Sequence, residues 1–294
     1  MNKKYKVENA IIMAAGLSSR FAPLSYECPK ALLKVKNEIL IERQIKQLKE
    51  AGIEDITVVV GYKKELFYYL SNKFNVRIIE NTEYNIRNNN SSLYCVRHLL
   101  GSTYICSADH YFNENVFEAY IDKSYYAAVY ISEKTNEWCI TTNKTGLITN
   151  VHIGGENSWV MLGHVFFTNE FSKRFVAILE AVYDLPETAS LLWESIYIKY
   201  IHELPLYIRK YEKEIIYEFD TLDELREFDH TYYEYTDSYI LSKISEMLHC
   251  KVSDIREINP IKKRGETIGF EFFCTGKTYI YHYKTEKITE EIEV

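Results

Sequence analysis

No run of this 294-residue sequence approaches the ~20 apolar residues of a membrane span, and the polar opening Met1-Asn2-Lys3-Lys4 lacks the core of a signal peptide. Positive charge is also short: Lys+Arg total 35 against 42 Asp+Glu, a net charge of -7. Such a chain has no general attraction for nucleic acid or an anionic membrane surface, so an anionic ligand needs a local cradle. The six cysteines (Cys28, Cys95, Cys106, Cys139, Cys250, Cys274) form no Cys-x-x-Cys pair and have no histidine at zinc spacing. They are expected to be reduced core and surface residues of a cytoplasmic protein. Glycine is scarce, with 11 residues against 26 tyrosines, so the places where glycines fall carry information. What remains is 47% hydrophobic and 26% charged, a folded composition whose length suits one large domain or two ordinary ones.

The first hundred residues alternate between two periods. Ala10–Ala14, Ile56–Val60, Val76–Ile79 and Tyr104–Ala108 are short apolar runs of the kind that form buried parallel strands. Ile39–Ala51 and Glu65–Phe74 have helical spacing. Strands alternating with helices predict an α/β fold, its sheet covered on both faces and its ligands beyond the carboxyl ends of the strands. Gly16 and Asp109 both fall there. Residues 125–167 then read as strands joined by short turns, followed by helices at Glu170–Tyr183 and Thr188–Ile201. Strand-like runs at Leu206–Arg209 and Ile215–Phe219 precede a helix at Thr221–Phe228. A small α+β unit is expected from His230 onward. Its helix runs from Asp237, a plausible N-cap, to Leu248, followed by strands at Ile255–Ile261, Gly269–Cys274 and Thr278–Tyr283. Thr275-Gly276-Lys277 joins the last two as a hairpin, and the charged tail Thr285–Val294 is expected to fray.

The strongest chemical signal is Met13-Ala14-Ala15-Gly16-Leu17-Ser18-Ser19-Arg20-Phe21-Ala22-Pro23-Leu24, followed by Cys28-Pro29-Lys30-Ala31-Leu32. Small residues after a first strand let backbone N–H groups approach a triphosphate, and Arg20 and Lys30 can neutralise phosphate oxygens. Ala-Ala-Gly alone would also suit an ordinary strand-to-loop turn. Asp109, in Cys106-Ser107-Ala108-Asp109-His110-Tyr111, supplies a hard oxygen where Mg²⁺ would be needed beside phosphates. A period of two places Glu218 and Asp220 on one face of the Ile216–Asp220 strand, although Asp220 could instead cap the following helix. His110 is read as a bystander. Trp138, behind Asn136-Glu137, and Trp193-Glu194 put aromatic faces beside carboxylates, a combination suited to a quaternary ammonium. Core tryptophans would look the same.

The 13–32 segment resembles the signature of nucleotidyltransferases that couple a nucleoside triphosphate to a phosphorylated metabolite. That pattern usually has Gly where this chain has Ser18, and Ser or Thr at Ser19. Together with Asn136-Glu137-Trp138, Trp193 and Tyr217-Glu218-Phe219-Asp220, residues 8–229 resemble the bacterial CTP:phosphocholine cytidylyltransferases. The resemblance implies a Rossmann-like nucleotidyltransferase domain over residues 1–229, with a mixed central sheet. A substrate phosphate would attack the α-phosphorus of CTP and release pyrophosphate. Lys30 and Arg20 are implied as catalytic, with Ala14, Ala15, Gly16, Ser18 and Ser19 around the nucleotide. Asn90, Ser91 and Ser92 fall in the family's base-reading segment, though an Asn/Ser cluster also suits a helix N-cap and turn. Asp109 and Asp220 are implied as ligands of a catalytic Mg²⁺, while Trp138, Trp193, Glu194, Tyr111 and Glu218 are assigned to the acceptor.

The expected partners are CTP and a phosphorylated amine, phosphocholine first, with no nucleic acid and no membrane insertion; a homodimer is left open. 2-Aminoethylphosphonate is a rival acceptor. A sugar 1-phosphate is disfavoured because Val151-His152-Ile153-Gly154-Gly155-Glu156 stands where such enzymes carry Glu-Lys-Pro. A catalytically inactive nucleotide sensor is the alternative outside enzymes. Residues 230–294, with Pro260-Ile261-Lys262-Lys263-Arg264-Gly265 between strands, resemble the opening of bacterial choline kinases. They lack the His-x-Asp loop and have Thr267-Ile268 in place of the usual Thr-Asn, so kinase activity is not expected.

Overall fold

The computed structural model describes residues 4–263 and 266–290, which fall into two compact units. The first takes the chain up to Gly16 and then Leu40–Glu218; the second takes Leu17–Ile39 and everything from Phe219. The expected 230–294 unit lies within the second, joined there by Leu17–Ile39 and by the helix Leu222–Phe228. Arg264 and Gly265, in the loop whose sequence was compared with a choline kinase opening, and residues 291–294 of the tail lie outside the described residues.

Among the described residues, nine strands of the first unit form one mixed sheet. Asn9–Ala14 is central, parallel to Ile56–Val60 on one side and to Thr103–Ser107 on the other; Arg77–Glu80 extends the sheet, parallel to Ile56–Val60. Every residue of Ile56–Val60 is buried, as an apolar run covered on both faces should be. Ser158–Phe167 joins Thr103–Ser107 antiparallel and makes the sheet mixed. It carries Tyr125–Ile131 and Thr135–Thr142, with Ile148–Gly155 beyond the latter. Tyr207–Tyr211 pairs parallel with Tyr125–Ile131.

The helix Asn169–Val182 starts at Thr168, whose hydroxyl accepts from Phe171 N–H, and buries Phe171, Phe175 and Leu179 against Phe167 and Trp193. The helix expected at Thr188–Ile201 is shorter, Trp193–Lys199. Side-chain amides explain the difference: Asn88 Nδ2 donates to Ser190 O, and Asn90 Nδ2 to Thr188 O and Leu191 O, capturing carbonyls a longer helix would need.

In the second unit the helix Leu222–Phe228 opens with a capping box of Thr221 and Glu224. Arg226, 1% exposed, donates to Val252 O and Ile255 O and pairs with Asp223 at 2.9 Å, so this buried guanidinium has its donors engaged. The next helix is Tyr239–Leu248, and its N-cap is Ser238, not Asp237, which adopts φ 55. Four antiparallel strands follow, Arg256–Lys263, Glu266–Cys274, Lys277–His282 and Lys287–Glu290. The hairpin turns through Thr275 and Gly276, both at positive φ. The fourth strand corrects the expectation of a fraying tail over residues 287–290. None of the six cysteines forms a disulfide. Among the described residues no helix is long and apolar enough to cross a membrane.

Gly163 interrupts Ser158–Phe167 at φ +116, and an added Cβ would stand 2.8 Å from Ile216 Cδ1 and 3.0 Å from Ala127 Cβ. Gly163→Ala should therefore cost about 1–3 kcal/mol by combining backbone strain with overpacking. Denaturant unfolding of the two chains measures it; equal midpoints would show that the strand accommodates the methyl.

Candidate active site

Ala14, the last residue of the strand Asn9–Ala14, and Ala15 after it are buried, and Tyr62 N–H closes onto Ala15 O at 3.1 Å. Gly16 follows, and no described atom outside its chain neighbours lies within 4 Å of where its Cβ would be. That open space fits the close approach of a ligand to the backbone. Ser18, in the second unit, takes a left-handed conformation (φ 48, ψ 45) and its carbonyl accepts from Phe21 N–H. The glycine usual at this position in the family pattern would adopt that conformation without strain. Arg20 pairs with Asp220 at 2.8 Å, so the structure brings these two predicted residues together. Lys30 is 5% exposed, its ammonium 5.7 Å from the Phe21 ring centroid.

Asp109 sits in the tight turn between Thr103–Ser107 and His110–Phe112. Three side chains of the helix Leu40–Glu50 hold that backbone. Gln44 Nε2 donates to both Ser107 O and His110 O at 2.8 Å, and Gln47 Nε2 to Phe112 O. Arg43 donates to Phe112 O and Asn113 O, while its guanidinium covers the Tyr111 ring at 4.6 Å. Tyr111, expected at the acceptor, thus has a ring face occupied by Arg43.

His110–Phe112 pairs antiparallel with Ile216–Glu218, placing His110 opposite Glu218 with Nε2 3.3 Å from the carboxylate. Ligand atoms of Asp109, His110 and Glu218 all lie within 4.8 Å of one another. Two hard carboxylates and an imidazole form a donor set that fits a divalent cation, which would also relieve their repulsion. The sequence reading placed Glu218 with the acceptor and left His110 aside; the ladder puts both beside Asp109. It also ends at Glu218, so Asp220 leaves the strand face it was expected to share. The Asp220 side chain does not cap the next helix, because Thr221 does.

Asn89 bridges to the predicted acceptor residues, its Oδ1 accepting from Trp193 N–H at 2.7 Å and its Nδ2 donating to Glu194 at 3.2 Å. Asn90, Ser91 and Ser92 are buried. The Ser91 and Ser92 hydroxyls accept from Asn81 Nδ2 and Asn90 Nδ2 holds the 188–191 turn, whereas buried Asn90 Oδ1 has no hydrogen-bond partner among the described residues. Trp193 is 1% exposed, packed parallel to Tyr126 and edge-on to Phe167 and Phe175. It is a core tryptophan, whereas Trp138 on Thr135–Thr142 is only half-buried. Glu194 receives Tyr126 Oη–H as well as Asn89. Burial pushes its carboxyl up to about 7, and the charge of Glu218 acts in the same direction.

The sequence matches the MobA-like NTP transferase domain family over residues 10–204. It is 35% identical to the choline-phosphate cytidylyltransferase of Streptococcus pneumoniae over 75% of this chain and 96% of that protein. Identity to the 2-aminoethylphosphonate cytidylyltransferase of Lancefieldella rimae is 38%, over 76% of this chain and 93% of the relative. A solved structure of the CTP:phosphocholine cytidylyltransferase from S. pneumoniae superposes with a TM-score of 0.74, covering 77% of this chain and 99% of that one.

The donor cluster can be tested without turnover. Asp109→Asn and Glu218→Gln should each weaken Mn²⁺ binding by about tenfold or more, since a neutral amide is a poor ligand for a hard cation. Mn²⁺ titration followed by electron paramagnetic resonance reads this directly; unchanged affinity in both variants would remove the cluster as a metal site.

Proposed function

Because the chain belongs to the MobA-like NTP transferase family, we propose that it transfers the cytidylyl group of CTP to phosphocholine. A phosphate oxygen of the acceptor forms a bond to the α-phosphorus while the bond to pyrophosphate breaks, giving CDP-choline. The observation that carries this reading is the Asp109–His110–Glu218 group with half-buried Glu194 in its electrostatic field. In this reading the open backbone at Ala14, Ala15 and Gly16, with Ser18 and Ser19, receives the triphosphate. Arg20 and Lys30 balance its charge. Asp109 and Glu218 are the carboxylates assigned to Mg²⁺, which when bound would neutralise charge on the transferring phosphate. Asn90, Ser91 and Ser92 support the base-reading segment through the bonds that fix it. No covalent intermediate is required; positioned charges do the chemistry.

The acceptor's cationic end is assigned to Glu194 and Trp138, with Trp193 acting from the core by holding Tyr126 in place. Glu194 already receives two side-chain hydrogen bonds, so it offers charge more than a vacant acceptor. That favours a trimethylammonium, which needs no hydrogen bonds, over a primary amine. The second reading, a 2-aminoethylphosphonate cytidylyltransferase, draws on the 38% identity to such an enzyme. Residues 230–294, whatever their likeness to a choline kinase, carry no kinase motif in this reading.

Pyrophosphate release with each nucleoside triphosphate decides the assignment when run against phosphocholine, phosphoethanolamine, 2-aminoethylphosphonate and a sugar 1-phosphate. CTP with phosphocholine should turn over fastest. A preference for a primary amine transfers the assignment to the second reading, and no release with any pair overturns both. Lys30→Ala should lower turnover by roughly two to four orders of magnitude, the scale for losing a charge that stabilises the transferring group.

Glu194 gives a pH dependence. Its carboxyl lies near 7 in the folded protein, above its ordinary range, so it is increasingly neutral as pH falls below that value. Only the ionised form attracts a cation. The KM for phosphocholine should therefore rise by about tenfold from pH 8 to pH 6, beyond any change from the substrate's own phosphate. Glu194→Gln should bind more weakly and remove that part of the slope. An identical pH profile in the two proteins would take Glu194 out of the acceptor site.

A further inference from the structure

The Leu17–Ile39 segment, which carries Arg20 and Lys30, is held on both sides of Lys30 by residues that lie beyond the family domain matched at 10–204. Before Lys30, the Glu27 carboxylate accepts from Ser238 Oγ–H and from Ile240 N–H at 3.1 Å. It thus occupies the first turn of the helix Tyr239–Leu248, where orphan N–H groups and the helix dipole favour an anion. The Tyr26 ring stacks on Tyr283 with centroids 3.8 Å apart and planes 5° from parallel. After Lys30, Tyr232 Oη–H donates to Lys34 O at 2.6 Å, and Lys36 N–H donates to the Asp229 carboxylate at 2.7 Å. Lys36 places its ammonium over the Phe228 ring, 4.9 Å from the centroid.

These contacts share one geometry. Along its length the segment has three one-turn helical pieces, Ser19–Phe21, Leu24–Glu27 and Lys30–Leu32, and a hairpin of two-residue strands, Lys34–Val35 and Glu38–Ile39. Elements this short have little cooperative stability of their own. Their order has to come from what packs on them. We propose that Asp229, Tyr232, the start of the helix Tyr239–Leu248 and Tyr283 act as a clamp that holds the Leu17–Ile39 segment in its nucleotide-competent conformation, with Tyr283, Ser238 and Tyr232 as positioning residues. The inference rests on reading that segment as part of the nucleotide site. A segment that is competent only part of the time weakens apparent affinity by that fraction, so the clamp sets the KM for CTP while leaving the chemical step alone.

The test uses the full chain with Tyr283→Leu and Ser238→Ala, singly and combined, and Tyr283→Phe as the conservative control that retains the stack. Amide hydrogen exchange without any ligand should quicken across 17–39 by about tenfold in the double variant, with Asn9–Ala14 and Ile56–Val60 unchanged. The KM for CTP should rise by about 3- to 10-fold for Tyr283→Leu, the worth of one aromatic pair. The turnover number and the KM for the acceptor should stay within about twofold, and Tyr283→Phe should match wild type. If Tyr283→Leu does not fold, Glu27→Gln weakens the same clamp from the other side and is read by the same exchange. Unchanged exchange over 17–39, or equal acceleration in both units, overturns the clamp. Faster exchange over 17–39 in a protein that binds no CTP supports the clamp and overturns the nucleotide assignment instead.

Discussion

The three-residue ladder between His110–Phe112 and Ile216–Glu218 is the constraint on which the chemistry of the first unit depends, because it brings Glu218 to Asp109 across more than a hundred residues of chain. Two carboxylates at such range repel, and so short a ladder has little strength to hold them. The helix Leu40–Glu50 supplies what the ladder lacks. Gln44 spans the Asp109 turn from Ser107 O to His110 O, and Arg43 and Gln47 take the carbonyls that follow. These side chains lie on the buried and half-buried side of an amphipathic helix, where leucine or isoleucine would satisfy packing alone. Amide and guanidinium donors there exchange apolar burial for control over a backbone turn.

Much of the α/β fold could be read from the sequence because it rests on local pattern. Runs such as Ile56–Val60 are apolar on both faces and end at turn residues, and the mixed sheet follows the resemblance carried by the 13–32 signature. The Asp109–His110–Glu218 group was less legible. A three-residue strand shows no periodicity, so His110–Phe112 could not be distinguished from a loop, and His110 gained its meaning only from a partner at position 218. Trp138 and Trp193 had the same standing in sequence. Packing separates them, since Phe167, Phe175 and Tyr126 enclose one and leave the other half-open. Asp237 and Ser238 are both good N-caps by type, and the left-handed backbone at Asp237 decides for Ser238.

The second unit was hidden for a different reason. Leu17–Ile39 reads as the continuation of the first strand, and chain adjacency suggests that it packs there. Its contacts run instead to residues some two hundred positions away: Glu27 to Ser238, Lys34 to Tyr232 and Lys36 to Asp229. Each is a single polar contact between residue types common on any surface. Nothing in composition or spacing marks Tyr26 as the partner of Tyr283. The helix at Tyr239–Leu248 and the strands after it were legible as elements, yet what they hold was not. Their role emerges only when the segment they touch is recognised as the one carrying Arg20 and Lys30.

In the proposed reading, Glu194 links the acceptor side of the first unit to the Asp109–His110–Glu218 group. Burial alone would raise its carboxyl, but the field of Glu218 adds to the shift, so the charge states of the two residues are linked. Anything that neutralises Glu218 lowers the cost of ionising Glu194. A divalent cation held by Asp109 and Glu218 would do so electrostatically, at a distance and without moving an atom. Ionised Glu194, enclosed by Tyr126 and Asn89, then needs a compensating positive charge that asks for no further hydrogen bonds. A quaternary ammonium meets that requirement, and a neutral sugar does not. Under the proposed reading, a cation held by Asp109 and Glu218 and a quaternary ammonium near Glu194 would each make the other's binding more favourable.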